Sequence, residues 1–346
     1  MEPIVGQTAV VELLDGIRAS GRVPHGLLLQ GPDGVGKRAV ARRFAAGLLC
    51  DEPAAAPCGR CESCRLVDRD SHPDLAWVRR LPKVATGTET AADDESDLHP
   101  QIKVDQIREL TRLLAMAARR GGRRVAILDP ADRMNREAQN ALLKTLEEPP
   151  GRAVLVLLAS RPHLLLPTVR SRSFVVGVAA LRVSELARLL VVERGMDRDE
   201  ALTRAALAEG RPRRALDLDL DAERARREGL LLCLERLGRG GAGIGELPDL
   251  ATAVAGRTQD DLVDNLDMLE ALLRDAARAS LDAEDEALVH ADEAPRLARI
   301  GERLGVLRAA ELTRGIERLE RDLRVNVNRT LVAEAILAAV AGGPLP

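Results

Sequence analysis

Residues 26–38, Gly-Leu-Leu-Leu-Gln-Gly-Pro-Asp-Gly-Val-Gly-Lys-Arg, decide the fold. The apolar run Gly26 to Gln30 reads as a buried parallel strand that stops at a glycine loop. Residues 37 to 49 then read as a helix, with Val40, Ala41, Phe44, Ala45 and Leu48 on one face. Strand, glycine loop and helix are the setting of the phosphate-binding pattern Gly-x4-Gly-Lys-Ser/Thr. Its backbone N–H groups wrap phosphates, its Lys reaches them, and its hydroxyl holds Mg2+. Gly31, Gly34, Gly36 and Lys37 supply the cradle, but Arg38 stands where the hydroxyl belongs. The loop can grip an anion, ATP or ADP included, without its metal ligand.

Working outward, 7 to 19 has helical spacing, and Asp74 to Val78 reads as a second strand. Residues 81 to 100, with the acidic run Asp93, Asp94, Glu95 and Asp97, read as a loop. Residues 104 to 118 and 134 to 148 read as helices, the second stopping before Pro149-Pro150. Strands follow at 124–129, 153–159 and 173–176. Strands alternating with helices predict an α/β fold, a parallel sheet with helices on both faces. After about residue 180 the strand signals stop. Residues 181 to 218 suggest a small helical bundle. Residues 223 to 342 suggest a longer helical domain, interrupted by the glycine-rich stretch 238–243.

The strand at 124–129 ends in Asp129, the position where a phosphate-loop ATPase keeps an acid for Mg2+. The next residue, which should be a Glu that polarises water, is Pro130. Phosphoryl transfer depends on placing metal and water. The loss of both groups predicts suppressed hydrolysis.

Cys50, Cys58, Cys61 and Cys64 follow a Cys-x7-Cys-x2-Cys-x2-Cys spacing. Four thiolates close Zn2+ tetrahedrally and leave no open position, so the expected role is structural. His25 and His72 are not needed as ligands, and Cys233, within Leu230 to Leu234, reads as helix core. Arg172, in Arg170-Ser171-Arg172-Ser173, and the turn with Arg119, Arg120, Arg123 and Arg124 read from spacing alone as solvated basic turns, with an arginine finger the alternative for the first and a DNA-facing edge the alternative for the second.

The 346 residues carry a net charge of −3, which argues against wholesale binding of DNA phosphates. With one Trp, two Phe and no Tyr, the composition argues against nucleic-acid recognition by base stacking on aromatic rings. The first 30 residues lack a signal-peptide pattern, and no apolar run approaches the roughly 18 residues of a membrane span. A cytoplasmic location with no membrane partner is expected.

The order of segments resembles a known family. It runs through Val5-Gly6-Gln7, Pro24-His25-Gly26, the glycine loop, Phe44 to Cys50, the Cys trio and His72-Pro73-Asp74. It continues through Leu142-Leu143-Lys144-Thr145-Leu146-Glu147-Glu148-Pro149-Pro150 and Ser171-Arg172-Ser173. This is similar to the bacterial DNA polymerase III clamp-loader subunits of the AAA+ class, nearest to their delta prime branch. The resemblance is dense over residues 1 to 180 and thinner beyond.

The resemblance implies a RecA-like AAA+ module over 1–178 with a zinc insertion at about 50–64. A helical lid over 179–222 and an all-α collar over 223–346 would follow. It implies a stator that does not turn over ATP and that works with gamma/tau ATPase and delta subunits, the sliding clamp and primed DNA. Arg172 becomes an arginine finger acting on a neighbour's ATP, Arg213 matches the second sensor, and Ser160 lies near the first. Ser173 departs from the Cys usual after the finger. The alternative is an ATP-hydrolysing subunit of the gamma/tau type, which Arg38 and Pro130 disfavour.

Overall fold

The computed structural model describes residues 4, 6–81, 101–120, 122–237, 246–281, 288–322 and 328–344. The acidic run 93–97, Gly121, the glycine-rich stretch 238–243 and Asn326-Val327 lie outside the described residues. The chain divides into two compact units, Met1–Leu216 and Asp217–Pro346.

In the first unit, β1 (Gly26–Gln30), β2 (Leu75–Val78), β3 (Val125–Leu128), β4 (Val154–Ala159) and β5 (Phe174–Gly177) form one parallel sheet. Its order is β2-β3-β4-β1-β5. Alternate residues sort to two faces. Leu27, Leu29, Ile127, Val154, Val156 and Leu158 pack with Leu14 of α1 (Thr8–Ala19) and with Val40 and Phe44 of α2 (Lys37–Leu49). Cys64 and Val67 of α3 (Glu62–Asp68) join the same face. Leu28, Leu128, Leu155 and Leu157 pack with Ile107 and Leu110 of α4 (Val104–Ala115) and with Leu142 and Leu146 of α5 (Arg136–Glu147). Strands covered on both faces read as unbroken apolar runs, which is why Gly26–Gln30 and Val154–Ala159 stand out in the sequence. Truncating fully buried Leu28 to Ala would cost about 2–5 kcal/mol.

Helix limits follow local chemistry. Asn135 caps α5 by accepting from the N–H of Ala138, and the helix ends two residues before Pro149. α4 stops at Ala115, three residues earlier than its sequence pattern suggests, because Met116 takes an extended conformation. α6 (Pro167–Ser171) leads into β5. Three helices complete the unit: α7 (Val183–Arg194), α8 (Arg198–Leu207) and α9 (Pro212–Asp217). They share a core of Leu186, Leu190, Ala201, Ala205 and Ala215. Gly195 ends α7 at φ 64°, and Asp197 caps α8.

The second unit is helical throughout its described residues. It comprises α10 (Leu220–Leu237), α11 (Leu247–Ala255), α12 (Gln259–Ala279), α13 (Ala294–Leu304), α14 (Val306–Asp322) and α15 (Arg329–Val340). Leu262, Leu266, Leu269 and Leu272 repeat along α12 at helical spacing and meet Leu234, Leu297, Ile316 and Ile336 in one core, which also takes in Cys233. Thr258 and Asp261 form a capping box at the start of α12. Arg296 bridges Glu228 and Glu235 at 2.6 Å each. Among the described residues no helix is long and apolar enough to cross a membrane.

Candidate functional site

The glycine loop lies beyond the carboxyl end of β1, beside the ends of β3 and β4. Ligands of open parallel sheets collect at such an edge. Gly34 and Gly36 stand at φ 81° and 97°, where a side chain would be strained. Gly31 is required for a different reason: a Cβ there would sit 1.9 Å from the carbonyl oxygen of Val178.

Lys37 is buried against this loop. Its Nζ donates to the carbonyls of Gly31 and Pro32 at 2.7 Å and to Ser160 Oγ at 2.8 Å. An ammonium has three protons, so all are placed on protein acceptors. Burial pushes the Lys37 ammonium below its usual range, and the carboxylates of Asp33, Asp132 and Asp129 pull against that shift. Ser160 Oγ in turn donates to Asp33.

The neighbouring side chain closes the metal position. Arg38 Nε lies 2.5 Å from Asp129 Oδ2, so the acid at the end of β3 is held by a cation of the chain itself. The residues present do not fit Mg2+. A guanidinium occupies the place of a ligand hydroxyl, and the carboxylate that would face the ion is already paired.

Asp132, three residues beyond Asp129 and expected from the sequence on a following turn, has a role that sequence reasoning did not assign. It sits on a short 3-10 turn after β3, buried, and Oδ2 accepts from the N–H groups of Ser160 (3.0 Å) and Arg161 (2.7 Å). It thereby ties the end of β4 to the end of β3. Only its acidity and its distance from Asp129 were visible in the sequence, and neither announces a clamp.

The structure brings Gly31, Gly34, Gly36, Lys37, Arg38 and Asp129 together. Arg213 joins them through its backbone, whose N–H donates to Gly34 O at 3.2 Å. Arg172 stands elsewhere. It caps α6 just before β5, and Phe174 of β5 pairs with Leu27 of β1, so Arg172 lies at the amino edge of the sheet. The loop starts at the carboxyl edge. β1 separates the two by roughly 13 Å, at about 3.3 Å per residue, too far for Arg172 to reach its own chain's loop. Its Nε is 2.5 Å from Glu147 Oε1, and Nη1 donates to Thr168 O at 3.2 Å.

Cys50, Cys58, Cys61 and Cys64 converge, with their sulfurs all within 4.8 Å of one another. Cys50 Sγ and Cys61 Sγ are 3.8 Å apart. Zn–S bonds of about 2.3 Å in a tetrahedron place sulfurs about 3.8 Å apart, so the donor set fits Zn2+. N–H groups donate to the knuckle sulfurs, that of Cys61 to Cys58 Sγ and that of Cys64 to Cys61 Sγ, both at 3.3 Å. Donors from the backbone of Arg60 and Cys61 pull the Cys58 thiol down to about 7, whereas burial pushes Cys50 and Cys64 up.

The two histidines have other partners. His25 Nδ1 meets Ala153 O at 3.2 Å. Buried His72 joins Ser63 Oγ through Nε2 at 3.3 Å, and its Nδ1 accepts the N–H of Asp74 at 3.1 Å.

The family model described as DNA polymerase III, delta subunit, matches residues 6–182, about half of the chain. A second model, for the C-terminal part of the same delta subunit, matches residues 246–341. A DNA polymerase III subunit delta' of Pseudomonas aeruginosa is 44% identical over 149 residues, covering 43% of this chain and 41% of that protein. The Escherichia coli delta' subunit is 34% identical over 58% of this chain and 55% of its own length. The Escherichia coli tau subunit is 33% identical over 54% of this chain and 26% of its own length. The chain thus spans between a quarter and just over half the length of these curated relatives. Its two matched segments fall one in each structural unit, and it belongs to the DNA polymerase III delta-subunit family.

Proposed function

We propose that this chain is the delta prime subunit of a bacterial clamp loader. In this reading it is a stator that completes a ring of gamma/tau ATPase and delta subunits and works in the cytoplasm. It lends Arg172 to a neighbour's ATP and helps open the sliding clamp for loading on primed DNA. Residues 1–178 form the AAA+ module, 179–222 the lid and 223–346 the collar that joins the ring. Zn2+ on the four cysteines cross-links the insertion and takes no part in chemistry.

The Arg38–Asp129 pair carries this reading. A loop whose metal position is filled by its own guanidinium is poorly equipped for phosphoryl transfer. Arg172 supports it from the other side, lying at the sheet edge opposite its own loop. The delta' relatives agree with the assignment. ATP or ADP can occupy the cradle only by displacing the bonds of Lys37.

The test is a loader reconstituted with Arg172→Ala. Arginine fingers contribute about 10³-fold or more. Turnover at the adjacent site should therefore collapse while the ring still assembles, and turnover at the parent rate sinks the assignment. The tau match makes a hydrolysing gamma/tau-type subunit the second reading. ATP turnover by the isolated chain, abolished by Lys37→Ala, would favour it.

A further inference from the structure

One motif remains outside this function: the arginine turn before β3. Two residues upstream of the register pair Val125 and Val154 stand Arg123 and Arg152, at the amino ends of neighbouring strands. Arg152 lies in the turn that leads into β4 and Arg123 just before β3, whose paired residues run about 4.8 Å from those of β4. Arg123 is half-buried and Arg152 exposed, and among the described residues neither has a carboxylate partner. Burial and the charge of Arg152 together hold the Arg123 guanidinium below its ordinary range. Two adjacent cations, one partly desolvated and neither compensated, are unfavourable in the free chain, and an anion placed between them relieves both costs.

The described residues on either side of Gly121 are tied down by hydrogen bonds. Buried Asp74 accepts the N–H groups of Arg119 (2.8 Å) and Arg120 (2.9 Å). The side chain of Arg120 reaches Glu62 and, at 3.3 Å, Ser63 Oγ, both in the cysteine knuckle. Arg124 closes the turn on Ala117 O at 2.8 Å. Arg119 presents a third guanidinium that is exposed and has no ion pair among the described residues.

We propose that Arg123 and Arg152, with Arg119 beside them, bind the phosphate backbone of a nucleic acid. Guanidinium forks match phosphate oxygens bidentately. Backbone already tied down limits the ordering cost of binding. With so few aromatic residues in the chain, contact falls to the backbone rather than to bases. DNA is the polyanion that the family's polymerase copies. The pair is set apart from Arg172 by the strand order: β4 starts about 10 Å from β5 and β3 about 14 Å from it.

The test is anisotropy of a labelled single-stranded oligonucleotide titrated with the full chain over a range of salt. Arg123→Ala/Arg152→Ala is compared with Arg188→Ala/Arg198→Ala, which removes equal charge from exposed positions on α7 and α8. The first pair should weaken binding tenfold or more. It should also flatten the slope of log K against log salt by about 1.4, at about 0.7 per single-strand phosphate. The control pair should bind as the parent does. Circular dichroism confirms that each variant is folded, and Arg123→Lys/Arg152→Lys, which keeps the charge, should recover part of the affinity. The proposal is overturned by an equal loss in the control pair or by a parent chain that binds no DNA at low salt. A labelled polyglutamate peptide captured in preference to DNA overturns it too, making the edge an acidic-protein site.

Discussion

Replacing Asp132 with Asn preserves the size of the side chain and removes one charge. Oδ2 accepts from two N–H groups, and Oδ1 is buried without a hydrogen-bond partner. The amide oxygen of Asn can take the place of Oδ2, so both bonds survive, but as neutral ones. Hydrogen bonds to charged groups contribute about 1.5–3 kcal/mol and neutral ones about 0.5–1.5. Two weakened bonds then lose about 2–3 kcal/mol. The new NH2 falls where Oδ1 had no partner and recovers nothing. Lys37 also forfeits one of the three carboxylates that offset its burial.

In a unit of about 200 residues, 1 kcal/mol moves Tm by about 2–4 °C, which predicts a fall of about 4–12 °C. Asp132→Ala, which leaves both N–H groups without an acceptor, should cost about 2–6 kcal/mol. The assay is provided by the chain: Trp77 is its only Trp and lies in β2, so its fluorescence reports the first unit alone. Far-ultraviolet circular dichroism follows both units. An Asn variant melting within a degree of the parent, by fluorescence, refutes the clamp.

Three further outcomes are expected. The purified chain should carry one Zn2+, and a strong chelator should lower the fluorescence transition while sparing that of the second unit; a chain without zinc at full stability contradicts the site. Ligand thiols must be deprotonated, so zinc release, followed with a colorimetric chelator, should grow as pH falls. Gly31→Ala drives a Cβ to 1.9 Å from Val178 O and should destabilise the first unit by about 3 kcal/mol or more, read by urea titration. Arg38→Thr frees Asp129 and should make nucleotide binding Mg2+-dependent in calorimetry without turnover, since Pro130 still offers no acid; rapid hydrolysis would show that the acid is dispensable.

The sheet was legible because a parallel strand buried on both faces leaves an apolar run and because glycine marks the loop chemically. The cysteine knuckle was legible for a similar reason, as its ligands lie close in sequence. Ends were less so: α4 stops at Ala115 because Met116 turns extended, a choice made by tertiary packing. Asp132 and Asp74 were hidden because their partners are backbone N–H groups 28 and 45 residues away, and backbone donors leave no mark in a sequence. The pairing of Arg38 with Asp129 was hidden likewise. The sequence displayed a missing hydroxyl and an acid, and only the fold shows that each cancels the other.

Lys37 has a structural role that does not involve nucleotide. Its three bonds draw the loop carbonyls toward the end of β4, and Ser160 passes the connection on to Asp33. Removing Lys37 would leave those acceptors facing one another, so the lysine stabilises the loop itself. An ATP site between subunits needs a cradle from one chain and a finger from the next. On the proposed reading this chain supplies only the second, and its first half persists as a cross-brace for the carboxyl edge of the sheet. The two edges are then under different constraints. Loop substitutions should register mainly as stability, and substitutions at Arg172 mainly as a neighbour's rate.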